Sequence, residues 1–473
     1  MNREKQLIKN TAIISFGKIC TQLISFFLLP LYTTILTTEE YGIVDLVNTI
    51  VQLFLPIVTL QIEQSIFRYL VDCRNDKNKT NEIITSSIVF VLVALIIYLI
   101  VYCVVSIFIV NEYKYYLMIN LLATALSSVF LQISRGEGDN TRYAIASFLT
   151  ALFTILFNIY FIVVLKLGVY GMLLASFLAN IICVMYLFIK KKIYQKFRLK
   201  YFKKSILKKL ISYSIPLIPN SISWWILNAS DRLLVTYLIN VGTTGVLSVA
   251  NKFPGVYMNI YTLFNMAWTE SVTLYINDRD NEKYISNISN IIIKLFSFIS
   301  FIIIAIMPFA FKYMVNDKFT DAYNQIPILM IASIFNVLIG LCSTVYIAKK
   351  DTKEIAKTSI ITAILNLIID LSLIKVIGLY AATLSTLIAY MVMAIYRYHD
   401  VKKYINLNFK MNNIILIIFV GFFVIVSYYI NIFYLNIISL IVCIILATLC
   451  NIDSLKMFIN IFKKNLKLKE KGL

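Results

Sequence analysis

The feature that most constrains this chain is a series of fourteen long apolar segments. A helix that crosses a bilayer needs about 20 mainly apolar residues, whereas a membrane β-barrel shows strands of about ten alternating residues. Of the 473 residues, 60% are hydrophobic and only 14% are charged, whereas about one quarter are charged in soluble domains. We therefore predict an all-α integral membrane protein whose spans lie at roughly 11–36, 42–67, 83–110, 115–133, 143–165, 169–189, 210–238, 244–271, 286–311, 325–348, 358–375, 378–397, 412–430 and 433–450.

The distribution of positive charge predicts how these helices are oriented. The chain has 44 Lys and Arg against 24 Asp and Glu, a formal net charge of +20. Alternate connections, counted from the N-terminus, hold 35 of the basic residues, the other connections hold 5, and 4 lie inside spans. Cytoplasmic loops are enriched in Lys and Arg. We therefore predict a multi-pass protein with both termini in the cytoplasm.

Two short internal matches predict that the chain contains two similar halves. Gly42 and Gly245 open the second and eighth predicted helices at a shift of 203 residues. Gly168 and Gly378 lie where the fifth helix joins the sixth and the eleventh joins the twelfth, at a shift of 210. Both matches pair a helix with the sixth helix after it, so the halves are parallel repeats, with a substrate site expected between them and reached by alternating access. We predict an N-terminal six-helix lobe with a basic linker, a C-terminal six-helix lobe, and two further helices with a basic tail, at 1–205, 206–405 and 406–473.

Polar side chains inside the spans are concentrated on the first, second, seventh and eighth helices. Ionisable residues within a bilayer are costly and usually face a protein-lined cavity. On these equivalent helix pairs, helical spacing places the polar residues along one face. We predict substrate contacts from Lys18, Gln22, Asn228, Arg232, Lys252 and Asn259, and ion coupling through the carboxylates of Asp45, Glu63 and Asp370.

Structural explanations compete with each of these roles. Arg232 could form an ion pair with an acid on another helix, and Lys18 could pair with a carboxylate. Asp370, about twelve residues into its predicted helix and so near the midplane, could simply accept a hydrogen bond from the twelfth helix. Asp45 lies near a helix N-terminus, where a negative charge is favourable on its own account. The sequence leaves these alternatives open.

Several classes of function lack their residues. The seven cysteines show no metal-ligand spacing, and the one histidine excludes a His-based zinc site or a Ser-His triad. The external connections are short and no catalytic cluster is present, so we predict neither an enzyme nor a bound metal or cofactor. No glycine-rich phosphate loop is present, so ATP is not the direct energy source. Coupling to H⁺ or Na⁺ and transport down the substrate gradient both remain open.

Five short stretches of the sequence carry a resemblance to a known family. They are Ile-Lys-Asn-Thr at 8–11, Glu-Tyr-Gly at 40–42, Pro-Leu-Ile-Pro-Asn at 216–220, Asn-Ala-Ser-Asp-Arg at 228–232 and Val-Ala-Asn-Lys-Phe-Pro at 249–254. They resemble the Wzx-type polysaccharide-biosynthesis flippases, the lipid-linked oligosaccharide branch of the multidrug/oligosaccharidyl-lipid/polysaccharide (MOP) exporter superfamily. The resemblance covers nearly the whole chain.

The resemblance implies two six-helix lobes arranged as a V, two added C-terminal helices and a cationic cavity. It also implies that undecaprenyl-diphosphate-linked glycans pass from the cytoplasmic to the outer leaflet of a bacterial cell membrane, for O-antigen, capsule or exopolysaccharide synthesis. Membrane lipids, a polymerase and glycosyltransferases are the implied partners, and nucleic acid is not. A multidrug exporter of the MATE type is the alternative transporter, and a polytopic glycosyltransferase, polymerase or ligase is the alternative enzyme.

Overall fold

The computed structural model describes residues 26–450 except positions 75, 109, 277, 279 and 350, and every regular element among them is helical. The all-α fold predicted from the sequence is thereby confirmed. Most of the first predicted span, including Lys18 and Gln22, lies outside the described residues.

The contacts of the chain fall into two compact units, Met1–Ser248 and Val249–Leu473. The predicted lobes at 1–205 and 206–405 were drawn from the sequence repeat rather than from contacts, and they stay a prediction. The helices of the first unit are α1 (Leu29–Ile35), α2 (Thr38–Val58), α3 (Ile62–Asp72), α4 (Lys77–Ser106), α5 (Lys114–Gly136), α6 (Asn140–Asn158, continued by a π-helical turn, Ile159–Val164), α7 (Gly168–Lys190), α8 (Ile193–Lys196), α9 (Lys204–Ser214) and α10 (Ile218–Leu238).

The eleventh helix begins in the first unit and continues into the second. The remaining helices belong to the second unit. In order they are α11 (Val241–Tyr275), α12 (Asn281–Met314), α13 (Asp321–Ala348), α14 (Thr352–Ile377), α15 (Leu379–Val401), α16 (Met411–Ile430) and α17 (Phe433–Cys450). Within this unit, α15 packs against α13 and α14, and α12 packs against α13 and α16.

Eleven helices among the described residues are long and apolar enough to cross a membrane. They correspond to the predicted spans except the first, which is largely undescribed, and the seventh and eighth. The latter two coincide with α10 and α11, whose polar residues make them less apolar than the others. The count of fourteen spans therefore stays a prediction.

The second predicted span, 42–67, is divided into two helices in the structure. Its first part, α2, starts with a capping box: the Thr37 amide donates to Glu40 Oε2 at 2.8 Å, and the Glu40 amide donates to Thr37 Oγ1 at 3.1 Å. This reciprocal arrangement satisfies two amides that a helix N-terminus leaves without partners. The helix ends where Leu60 and Gln61 adopt left-handed φ angles of 49° and 55°, and α3 follows at once.

The core of the first unit lies where α3, α4 and α5 meet. Ile62, Ile66 and Leu70 of α3 are fully buried and pack in one cluster with Ile84 of α4 and Ile133 of α5. Gly136 allows the close approach of α5 to α3, because a Cβ there would lie 2.7 Å from Leu70 Cβ. This packing holds α3 in place directly after the break that ends α2.

Two ion pairs occupy corresponding positions in the two units. Lys191, just after α7, lies 3.1 Å from Asp139, the residue before α6, measured from Nζ to Oδ2. Lys403, just after α15, lies 3.6 Å from Asp351, the residue before α14, measured between the same atoms. Both partners shift by 212 residues, from 139 to 351 and from 191 to 403. The agreement supports the repeat of six helices predicted from the sequence.

Candidate functional site

Within the first unit, α2 and α10 run antiparallel and share a line of polar contacts. Arg232 Nε lies 2.7 Å from Asp45 Oδ2. Further along, the Trp225 indole N–H donates to the Thr49 carbonyl at 2.9 Å. Beyond the end of α2, Gln61 Nε2 donates to the Ser221 hydroxyl at 2.8 Å. The polar faces predicted for the second and seventh spans therefore do meet, and we call this line of contacts the α2–α10 polar face.

The ion pair between Arg232 and Asp45 is the chemically distinctive part of this face. Each side chain keeps 21% of its surface exposed, so the pair is largely buried but is still accessible from outside the protein. Breaking such a pair by removing one partner is costly, because the charge left behind has lost its compensation. The structure thus realises the ion pair that the sequence left open for Arg232, and the partner is a carboxylate predicted for ion coupling.

Two glycines bring the helices together beside this pair. A Cβ on Gly42 would lie 2.2 Å from the Val241 carbonyl oxygen, and a Cβ on Gly245 would lie 2.0 Å from the Thr38 carbonyl oxygen. These are the two glycines that the sequence repeat matched. Their crossing places the start of α11 against α2, less than one helical turn from Asp45.

The connection between α10 and α11 is fixed by hydroxyl groups. The Thr236 and Thr244 hydroxyl oxygens lie 2.7 Å apart, within hydrogen-bond distance of each other. They lie 2.7 and 3.3 Å, respectively, from the Arg232 carbonyl oxygen, which accepts from this hydroxyl pair. Thr244 is completely buried. The backbone that carries the arginine is therefore tied to the glycine crossing, so a movement of α11 against α2 would move Arg232 relative to Asp45.

The other predicted substrate contacts are placed less completely. Lys18 and Gln22 lie outside the described residues, and the side chain of Asn228 is not described. Lys252 and Asn259 lie on α11 within the second unit, and both are partly exposed.

Glu63, a predicted coupling residue, lies at the second position of α3, directly after the break. Its side chain is buried, with 6% of the residue exposed. Its Oε2 atom has no hydrogen-bond partner among the described residues. A carboxylate with an unsatisfied oxygen in such surroundings is costly to keep charged, so proton or cation binding would stabilise it.

Asp370 lies at the end of a buried polar stripe in the second unit. Thr358, Thr362, Asn366 and Asp370 follow one another at intervals of four along α14, and all are buried. Asn366 Nδ2 donates to the Ser385 hydroxyl of α15 at 3.1 Å. The helix α14 runs from Thr352 to Ile377, so Asp370 is closer to its end than to its start. It lies seven residues before Ile377, about 10 Å at the rise of an α-helix.

Arg397, which was not predicted from the sequence, lies at the other end of this stripe, against Thr358. Its guanidinium is completely buried and donates to Thr358 Oγ1 from Nε at 2.9 Å and from Nη2 at 2.7 Å. It also donates to Ser343 Oγ at 2.6 Å and to Ser359 Oγ at 3.2 Å. The residue was counted with the loop cations because it closes the twelfth predicted span. The hydroxyl residues spaced at four along α14 were the signal for a buried donor.

A further group of charges joins the ends of α5, α6 and α7 outside the spans. Lys191 Nζ lies 2.7 Å from Glu137 Oε2 and 3.1 Å from Asp139 Oδ2, with 8% of the lysine side chain exposed. Burial opposes ionisation of Asp139, but the Arg142 amide and the Lys191 ammonium outweigh it and lower the pKa of the Asp139 carboxyl below its ordinary value. These contacts tie three helix ends together.

Comparison with known proteins places this geometry in context. A family model described as polysaccharide biosynthesis protein matches residues 7–269. The comparison with curated proteins gave no match.

Three solved structures with similar folds cover most of the chain. The lipid II flippase MurJ in an inward closed conformation is 18% identical and covers 94% of this chain and 100% of its own, with a TM-score of 0.67. An inward-facing MATE-family multidrug resistance transporter of the MOP superfamily is 15% identical, covering 81% of this chain and 94% of its own, with a TM-score of 0.65. A Vibrio cholerae MATE transporter mutant is 13% identical, covering 84% and 96%, with a TM-score of 0.55. These similarities show a shared transporter fold.

Proposed function

We propose that this chain, which belongs to the polysaccharide biosynthesis protein family, flips undecaprenyl-diphosphate-linked oligosaccharide units from the cytoplasmic to the outer leaflet of the bacterial cell membrane. Such units supply O-antigen, capsule or exopolysaccharide synthesis, in which glycosyltransferases and a polymerase would act before and after the flippase. The family and the fold shared with a lipid II flippase support a lipid-linked glycan as substrate.

The observation that carries the proposal is the guanidinium of Arg232 on the α2–α10 polar face. Arginine can bind a diphosphate with two parallel hydrogen bonds, whereas lysine acts as a point charge. In the structure Asp45 supplies the negative charge that this guanidinium needs. We assign to Asp45 the role of a stand-in for the substrate diphosphate, released when substrate arrives or when the carboxylate is protonated. Lys18, Gln22, Asn228, Lys252 and Asn259 are the further proposed substrate contacts.

Ion coupling follows from the same exchange. A proton or Na⁺ on Asp45 would weaken the ion pair and free Arg232 for the diphosphate, and loss of the ion would restore the pair. Glu63 and Asp370 are the other carboxylates proposed for coupling, because both are buried in helices. A MATE-type exporter of organic cations would instead need accessible acids, and here the Asp45 carboxylate is already paired with a guanidinium.

The test compares two arginines that each pair with one aspartate. Arg232→Gln should slow flipping of a lipid-linked oligosaccharide in proteoliposomes by about 10- to 100-fold, since a hydrogen bond to a charged group contributes roughly 1.5–3 kcal/mol. Arg68→Gln is the matched control, because Arg68 pairs with Asp72 at 2.6 Å on an exposed surface. It should leave flipping unchanged.

A charge exchange separates substrate binding from structure. The double variant Asp45→Arg with Arg232→Asp keeps an ion pair between the same two helices. Arg232→Gln should also lower membrane abundance, because it leaves the Asp45 carboxylate without its partner. We expect the double variant to restore that abundance while flipping stays low. Recovery of both abundance and flipping would show that the pair is purely structural and would refute the substrate role of Arg232. Efflux of organic cations with no glycan flipping would favour the MATE-type alternative.

A further inference from the structure

The first unit contains an elongated apolar groove whose described lining includes none of the proposed substrate contacts. It has a volume of about 910 Å³ and lies between α2 and α4, with the start of α5 at one end. One wall is formed by Ile50, Phe54 and Ile57 of α2 and the other by Val93, Ile97 and Val101 of α4. The volume lies within the range of about 300–1,000 Å³ typical of small-molecule sites. We call it the α2–α4 groove.

The α2–α4 groove opens sideways, toward the surface that lipid covers. Phe54 on one wall is 43% exposed, and Ile97 and Val101 on the other are 56% and 54% exposed. Along α2 the lining runs from Ile43 to Val58, which is about 22 Å at the helical rise of 1.5 Å per residue. The hydrocarbon core of a bilayer is about 30 Å thick. The groove therefore covers most of the depth of the hydrocarbon and is open along its length to a lipid chain.

One end of the groove is polar. Asn111, Tyr113 and Lys114 line it there, in the connection between α4 and α5 that the charge distribution predicts to be external. Lys114 Nζ donates to the Ser106 carbonyl at 2.8 Å, and the Tyr102 hydroxyl donates to the Lys114 carbonyl at 2.7 Å. Tyrosine and lysine are typical of the level where headgroups meet hydrocarbon.

A tyrosine inside the groove supports a polar ligand at this end. Tyr98 lies one turn before Tyr102 and also lines the groove. Its hydroxyl is shielded from solvent and has no hydrogen-bond partner among the described residues. A buried polar group without a partner costs roughly 1–3 kcal/mol. A ligand oxygen that accepts a hydrogen bond from the Tyr98 hydroxyl would remove this cost, which would favour binding. The groove thus combines a long apolar channel with a polar, cationic end. Such a groove would suit an amphiphile whose apolar chain lies parallel to the helices and whose anionic headgroup lies at the polar end.

We propose that the α2–α4 groove binds the isoprenoid chain of the lipid-linked glycan, with the diphosphate at the end marked by Lys114. The inference rests on the proposed function. The occupant is a single polyprenyl chain, the carrier in the proposed function, and membrane phospholipid is the competitor that the labelling experiment distinguishes from it. The ammonium at the end of the groove complements a diphosphate. Because lipid is as apolar as the groove, selectivity comes from close packing and from the polar end rather than from the hydrophobic effect.

The direct test is photo-crosslinking with a matched pair of positions. Ile96 and Ile97 are neighbours on α4 and are equally exposed at 56%, but only Ile97 lines the groove. Each is replaced in turn by p-benzoylphenylalanine in the full chain, in vesicles of phosphatidylethanolamine and phosphatidylglycerol containing labelled undecaprenyl diphosphate. We expect several-fold more label at position 97 than at position 96. Equal labelling, or a phospholipid adduct at 97 that undecaprenyl diphosphate does not displace, would overturn the proposal.

Two substitutions separate the chain from the headgroup. With the photoreactive residue at 97, Ala94→Trp should fill the groove and reduce labelling, whereas Leu92→Trp, on the exposed side of the same helix, should not. Lys114→Gln should reduce labelling by undecaprenyl diphosphate more than labelling by undecaprenol, and an equal reduction would refute the headgroup contact. Flipping of the glycan without preferential labelling at position 97 would refute lipid binding in the groove but not the proposed function. Preferential labelling without any glycan flipping would refute the proposed function and leave the groove as a prenyl-lipid site.

Discussion

The crossing of Gly42 and Gly245 offers a sharp test of how α2 and α11 are held together. A Cβ at position 42 would lie 2.2 Å from the Val241 carbonyl oxygen, whereas ordinary contacts begin at 3.4 Å. The obstacle is backbone, so no side chain can rotate away, and the helices must separate by about 1 Å. Gly42→Ala should therefore destabilise the protein.

The magnitude follows from two opposing effects. Replacing glycine by alanine inside a helix stabilises by roughly 1 kcal/mol. Overpacking a close contact costs typically about 1–3 kcal/mol, and the direct clash with backbone puts this site at the upper end. We expect a net loss of about 2 kcal/mol in the free energy of unfolding for Gly42→Ala. Gly245→Ala should have a similar effect. The two losses of stability should not be additive, because either clash is relieved when the same two helices move apart.

The same substitution at Gly255 is the control. Gly255 also lies inside α11, and its Cβ would meet no atom within 4 Å from the described residues beyond its own stretch of helix. Gly255→Ala should therefore show the helix-propensity gain alone. Thermal midpoints of the purified variants in one detergent, followed by the loss of the monodisperse peak, measure the difference. A Gly42→Ala variant that is as stable as Gly255→Ala would refute the close crossing.

Three further outcomes can be measured in the same assay. Arg397→Gln should lower stability by roughly 1–3 kcal/mol, because the buried hydroxyls around the guanidinium lose charged donors. Gly378→Ala should cost about 1–3 kcal/mol through backbone strain alone, since φ is +59° there and a Cβ would have no contact within 4 Å in the part of the chain that the structure describes. Asp139→Asn should lower the thermal midpoint at neutral pH. Because the pKa of Asp139 is lowered in the folded state, its contribution to stability is fully present above about pH 4, the ordinary pKa of an aspartate. This contribution disappears as the pH falls through the folded-state pKa, so the difference between the variant and the wild type should vanish in acid. A difference that stays constant with pH would contradict the ion-pair account.

The helices were predictable because hydropathy alone determines which segments can be buried in lipid. The break inside the second predicted span was not. Leu60 and Gln61 take left-handed angles without glycine, and the only local signal is Pro56 just before them. Packing of α3 against α4 and α5 holds that conformation, and such tertiary support is invisible in a local pattern.

The candidate site was predictable as a set of polar faces but not as a set of contacts. Helical spacing placed Asp45 and Arg232 on polar faces, yet nothing in a single sequence shows that residues 187 positions apart pair with each other. The glycine match at 42 and 245 was noticed as a repeat, and the structure gives it a further meaning as a point of close approach. The α2–α4 groove could not be predicted, because its walls have the composition of any lipid-facing helix.

Arg232 and Arg397 differ in how the structure compensates their charge. Arg397 is completely buried and is held by neutral hydroxyl groups of α13 and α14, so an incoming anion has neither access to it nor a negative charge to replace. Arg232 keeps 21% of its side chain exposed and is compensated by a carboxylate, whose charge a phosphate oxygen can substitute. The proposed exchange at Arg232 would conserve the local charge balance, whereas binding an anion at Arg397 would require separating three packed helices. Arg397 therefore has the contacts of a structural residue, whereas the partial exposure of Arg232 and its carboxylate partner are what the proposed diphosphate exchange requires.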